Sequence, residues 1–167
     1  MPAIRYAAMP VLLAGLLSIP ASAAGEQQSH DPLRFFEGRT ESISIVKAIM
    51  HKPYRTRAIG VGRLRPDGTL DLLQRVERDG EEPRNRRWVI REVGKGRFAG
   101  TMSEAVGPVN IEEVGGRYRF RFKMKGNLSV EQWLIPHPDW RSADNKLTVR
   151  RFGIKVGSSD GIIRKLG

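Results

Sequence analysis

Residues able to do acid–base or metal chemistry are few in this chain, and their spacing keeps them apart. The three histidines, His30, His51 and His137, are distant from one another, and none belongs to a zinc-type spacing. His30 sits in a polar stretch, whereas His51 and His137 each stand close to a proline in a segment that reads as a loop. His137-Pro138-Asp139 could orient an imidazole, but spacing identifies no nucleophile partner for it. Cysteine is absent, which removes thiol catalysis, cysteine-ligated metals and disulfides. The pairs Glu81-Glu82 and Glu112-Glu113 are adjacent. Neighbouring strand residues face opposite sides, so neither pair suits joint acid and base work. Gly60-Val61-Gly62 and Gly94-Lys95-Gly96 lack the Lys-Ser/Thr ending and following helix of a phosphate loop. Gly60 and Gly62 instead mark a bend or a close approach to the backbone. No nucleophile–base–orienter set emerges, so no catalytic residue, metal or cofactor is assigned and a non-enzymatic protein is expected.

The strongest pattern is Arg117-Tyr118-Arg119-Phe120-Arg121-Phe122-Lys123-Met124-Lys125, cationic at every odd position and aromatic or Met at every even one. Side chains alternate across a strand, so this segment predicts one strand with a basic outer face and an apolar inner face. No helical register collects those charges. Further strands are predicted over 39–46, 55–65, 69–78, 85–93, 97–103, 107–114, 128–135, 146–156 and 162–166. Turn chemistry separates them: Pro66-Asp67-Gly68, Asp79-Gly80, Gly94-Lys95-Gly96, Gly115-Gly116, Gly126-Asn127 and Asp160-Gly161. Strands of this length with short returns form a meander that closes into a barrel or folds as a sandwich. Closure is favoured, because it removes the edges of so long a sheet.

Residues 1–23 carry the parts of a secretory signal peptide: Arg5, an apolar run from Ala7 to Ile19, and Ala21-Ser22-Ala23. The alternative is an uncleaved anchor, for which the run is short. Residues 24–38 then form a linker and a short helical turn, in which Asp31 can N-cap, Pro32 opens the helix, and Leu33, Phe35 and Phe36 dock on or plug the domain. Residues 39–167 are the barrel domain. The 167 residues hold 29 Lys and Arg against 18 Asp and Glu, and the surplus persists without Arg5. Such a surplus attracts phosphate- or carboxylate-rich surfaces, or simply solvates a sheet face. An exported protein meets anionic lipids and polymers rather than nucleic acid.

Phe35-Phe36-Glu37-Gly38, Asp79-Gly80 with Arg87-Trp88, Gly96-Arg97-Phe98-Ala99-Gly100-Thr101 with Glu104 to Gly107, Glu131-Gln132-Trp133, and Arg151-Phe152-Gly153 with Val156-Gly157 follow one another in a familiar order. This run resembles the DUF3833 family of bacterial envelope proteins and lipoproteins of unknown function. The resemblance implies a lipocalin-like antiparallel barrel in the cell envelope with no established activity. Family members commonly carry a lipobox cysteine, absent here, so this chain is expected to be soluble and periplasmic or secreted. Glu131-Gln132-Trp133 stands where the family tends to have Asp-Asp-Trp, which puts any role of those acids in doubt.

The expected fold is therefore all-β: a lipocalin/calycin-like antiparallel barrel of about 8–10 strands with a short N-terminal helical turn. Its candidate interior comprises Trp88, Phe98, Tyr118, Phe120, Phe122, Glu131 and Trp133, with Phe152 as a neighbour. Glu131 would then need a cation such as Arg86, Arg87 or Arg150, as a structural ion pair or as an anchor for a ligand headgroup. Candidate anion-binding residues are Arg87, Arg119, Arg121, Lys123 and Arg150, with Arg84, Arg86, Arg91 and Arg151 beside them on the outer face. That face lacks interleaved aromatics to stack bases, so nucleic acid is not an expected partner. Two readings result. One is an exported monomer binding an amphipathic lipid or other hydrophobic molecule, with peripheral contact to the membrane surface. The other is a surface-interaction module binding envelope polyanions or a protein through its basic face.

Overall fold

The computed structural model describes residues 31–167. The expected signal peptide, His30 and the expected linker before Asp31 lie outside the described residues. A helix α1 (Pro32–Phe35) precedes ten strands: β1 (Gly38–Ala48), β2 (Tyr54–Leu64), β3 (Leu70–Arg78), β4 (Arg84–Gly94), β5 (Arg97–Met102), β6 (Val109–Val114), β7 (Arg117–Met124), β8 (Leu128–Pro136), β9 (Ser142–Arg151) and β10 (Ile154–Leu166). Each strand pairs antiparallel with its sequence neighbours, and β1 pairs with β10, so the sheet closes as a ten-stranded barrel with no free edge. This is the lipocalin-like all-β fold expected.

Alternation in β7 works as read. Tyr118, Phe120 and Phe122 are buried inside, and Arg117, Arg121 and Lys123 are exposed outside. Gly115 and Gly116, both at positive φ (59° and 74°), make the two-residue return into this strand. One predicted turn is wrong. Asp160-Gly161 lies within β10, and the chain reverses at Phe152-Gly153 instead. Gly161 has no positive φ. It is small because a Cβ there would stand 2.1 Å from Ser44 Oγ on β1.

The two ends of the barrel differ. Asp31 caps α1 through the Leu33 amide (2.8 Å), and Leu33, Phe35 and Phe36 are buried in the core, so α1 plugs one end. Gly62 permits this seat, since a Cβ on it would come within 1.9 Å of the Phe36 carbonyl oxygen. Phe98, Tyr118 and Trp140 fill the same end in edge-to-face contacts, at 6.2 Å for Phe98–Tyr118 and 6.4 Å for Tyr118–Trp140. The opposite end, the mouth, carries the β1–β2, β3–β4, β5–β6, β7–β8 and β9–β10 connections.

Candidate functional site: a lumen open at the mouth

Inward positions follow from the ladder registers. Ser42 faces Ala58 and Ile163, Ser44 faces Thr56 and Gly161, and Val46 faces Tyr54 and Ser159. On the other wall Leu72 pairs with Trp88 and Leu70 with Ile90. Strands β1, β2 and β10 thus present mostly small or hydroxyl side chains to the interior, with Val46 and Ile163 as apolar exceptions. Strands β3, β4, β7 and β8 present large apolar ones. The small wall leaves the space that large residues would otherwise fill.

The result is a cavity of about 440 Å³. This lies within the usual range for small-molecule sites, about 300–1,000 Å³. Phe36 and Leu70 form its floor, and Trp88, Phe120, Leu72 and Leu147 form an apolar wall. The exposed residues Lys47, Glu81, Glu82 and Arg84 border it at the top, so it opens through the mouth. Three amides sit on its wall. Gln74 accepts the Trp88 indole proton (2.9 Å), and Gln132 donates to Asn145 (2.7 Å). The amide groups of Gln74 and Asn145 retain donor capacity toward a bound molecule.

Arg78, Arg84 and Arg86 also point into the mouth, which corrects the outer-face placement expected for Arg84 and Arg86. Register decides it: Arg84 faces Val76 and Arg86 faces Gln74, both inward positions. Arg86 is held by Glu104 (2.6 Å), Arg78 by Glu81 (2.5 Å) and the face of Tyr54 (3.6 Å), while Arg84 touches Glu104 only at 3.8 Å. Arg84 and Lys47 are therefore the rim cations least committed to an acid.

Of the expected interior residues, Trp88 and Phe120 line the cavity. Phe98, Tyr118 and Phe122 are buried beside it in packed core, with Phe122 edge-on to Trp88 at 5.8 Å. Burial, with Glu113 and Asp31 nearby, pushes the Tyr118 phenol up to about 12, so it stays protonated at neutral pH. Glu131 and Trp133 are not inside. They face outward opposite Arg121 and Arg119, because the inward parity of β8 belongs to Leu128, Val130, Gln132 and Leu134. The Trp133 ring lies under the guanidinium groups of Arg117 (5.1 Å) and Arg119 (5.6 Å), and its N–H donates to Glu131 (3.3 Å). The outer cationic row thus does hold an aromatic, contrary to expectation. Phe152 is likewise not a core neighbour but a hairpin tip, 73% exposed.

The expected anion-binding residues fall into two groups. Arg119 and Arg121 converge on Glu112, and Arg87 joins Arg65 on Asp71. The arginines hold both carboxyls below their ordinary range. Two arginines share each carboxylate, so both clusters are partly neutralised and keep one net positive charge. Lys123 and Arg150, flanking Ser129 on the outer face nearest the mouth, form no ion pair among the described residues.

At the plugged end the structure supplies the partners of His137 that spacing does not show. Ser142 Oγ lies 2.8 Å from His137 Nδ1, and Asp144 Oδ1 lies 3.1 Å from Nε2. None of the three lines the cavity. The His137 amide also donates to the Ser142 carbonyl (2.9 Å), so the set closes the β8–β9 turn.

A family model described as a protein of unknown function (DUF3833) matches residues 11–165. The chain belongs to the DUF3833 family. No curated protein matches this DUF3833 chain. Among solved structures it is similar to an S-type phycobiliprotein lyase, CPES, from Guillardia theta. The TM-score is 0.64 at 7% identity, over 81% of this chain and 90% of that one. The likeness is one of barrel fold.

Proposed function

We propose that this DUF3833 protein is a non-enzymatic carrier of one elongated amphipathic molecule, a lipid or similar compound, in the cell envelope. The observation that carries the reading is the cavity, open at one end and closed at the other by α1. An apolar chain would lie along Trp88, Phe120, Leu72 and Leu147, with its head among Lys47, Arg84 and the amides of Gln74 and Asn145. Guanidinium and ammonium groups favour an anionic head, and the low-dielectric wall strengthens that attraction. An envelope location is supported by the N-terminal sequence features alone.

Titration with a dansyl-labelled long-chain fatty acid tests the proposal. Entry into the lumen raises and blue-shifts the dansyl emission and quenches Trp88 by energy transfer, saturating at one probe per chain. Unchanged emission across the titration would refute it.

A further inference from the structure

The mouth carries a second feature that lumen binding does not require. The β1–β2 and β9–β10 tips stand side by side, joined by the Ala48–Gly157 pairing and the Ile49 amide donating to the Val156 carbonyl (3.0 Å). They display Met50 at 98% exposure, Phe152 at 73%, Ile154 at 70% and Ile49 at 60%. Met50 and Phe152 also hold left-handed backbone, at φ 63° and 50°. A non-glycine residue there costs about 1–2 kcal/mol, and glycine or asparagine would serve the turn better. Two large apolar side chains are thus fixed outward at an energetic cost that packing within the barrel does not offset. Observed strain of this kind points to a role outside the fold itself.

Charge identifies the surface they meet. The segments 46–54, 123–129 and 149–157 contain no Asp or Glu. They carry Lys52, Lys125, Arg150, Arg151 and Lys155, none of which forms an ion pair among the described residues. Elsewhere on the barrel acids stand among the cations and several arginines are paired, as in Arg57–Glu41, Arg65–Asp71–Arg87 and Arg119–Glu112–Arg121. Others, such as Arg39, Arg63 and Arg164, form no ion pair among the described residues. The acids of the mouth connections, Asp79, Glu81, Glu82 and Glu104, lie on the β3–β4 and β5–β6 connections instead. Apolar tips ringed by unmatched cations complement an anionic bilayer: the tips enter the acyl boundary while the cations meet phosphates. A protein partner or a second copy of this chain would need matching acids, and this arc offers a second copy only cations.

We infer that the β1–β2 and β9–β10 tips dock the mouth of the barrel onto an anionic phospholipid surface, which sets the lumen entrance at the membrane. The inference stands apart from the carrier reading, since the tips lie outside the cavity. The absence of cysteine allows a local test. Met50→Cys, Phe152→Cys and, at the plugged end, Asp67→Cys are each labelled with an environment-sensitive fluorophore and mixed with vesicles. The vesicles are phosphatidylcholine alone or phosphatidylcholine with phosphatidylglycerol. A blue shift is expected at positions 50 and 152 only, with the phosphatidylglycerol vesicles only, and weaker in high salt. Phe152→Asn, whose new side chain suits the left-handed turn, should fold normally yet bind these vesicles about tenfold less tightly. An equal shift at position 67, or none anywhere, overturns the inference. So does a concentration-dependent shift without vesicles, which would mark self-association. Blocking the lumen with Ser159→Phe should leave vesicle binding intact, which separates failure of docking from failure of the carrier reading.

Discussion

Gly62 faces the Phe36 carbonyl so closely that a Cβ on Gly62 would stand 1.9 Å from that oxygen. The contact fixes how deeply the N-terminal plug seats, and with it the floor of the lumen. Gly62→Ala must displace backbone, which should cost about 3 kcal/mol, the upper range for overpacking. Gly68→Ala meets no atom within 4 Å and bears only its left-handed φ of +80°, so it should cost about 1 kcal/mol. Thermal unfolding of the two variants checks the order. Equal losses would show that the plug contact is not structural.

The small wall should be where the cavity can be filled. Ser159 faces Val46 on β1 and Leu147 on β9 and lines the lumen. Ser159→Phe places a ring in open space, so the dansyl fatty acid should bind at least about tenfold more weakly while the circular dichroism spectrum stays unchanged. Retained affinity would place the probe elsewhere on the protein.

Trp88 and Trp133 offer a contrast between the two faces. Trp133→Ala loses two guanidinium contacts on the outer face, a cost of about 0.5–2 kcal/mol, and should not alter probe binding. Trp88→Ala opens a buried wall that Gln74, Phe120 and Phe122 hold, costs about 3–5 kcal/mol and should weaken binding. Comparable effects on binding from both would contradict the assignment of faces.

These two tryptophans also show how much the sequence reveals. The Arg117–Lys125 alternation anchors itself, since a row of five cations cannot face a closed interior, so β7 and the barrel around it were legible. Glu131-Gln132-Trp133 has no such anchor. Tryptophan suits a buried wall or a platform beneath arginines equally well, and only the register with Arg119 separates the two. The small wall was missed for a related reason. In Thr40-Glu41-Ser42-Ile43-Ser44-Ile45 the apolar residues face outward and the hydroxyls inward, the reverse of the usual assignment, and period-two spacing does not say which face is the lumen. Glycine was ambiguous as well. Gly161 after Asp160 reads as a turn, whereas its role is to let β10 pass close to Ser44.

Asp71 gives a pH signature. Arg87 and Arg65 hold its carboxyl below the ordinary range in the folded state. A depressed acid contributes stability above its unfolded value, about 3.9, and loses that contribution as pH falls toward the folded value. The protein should therefore be more stable than Asp71→Asn at neutral pH, and the gap should close on acidification below about pH 4. Melting temperatures from pH 7 down to pH 2 follow this directly. A gap that stays constant would mean that Asp71 acts by shape rather than charge.

The lumen itself is tested most directly by native mass spectrometry. Protein purified without detergent is incubated with a long-chain fatty acid, alongside Ser159→Phe. The predicted spectrum shows a single acyl adduct per chain on the parent protein and none on the variant. Bare parent protein, or adducts of equal number on both, would contradict a barrel that carries its ligand inside.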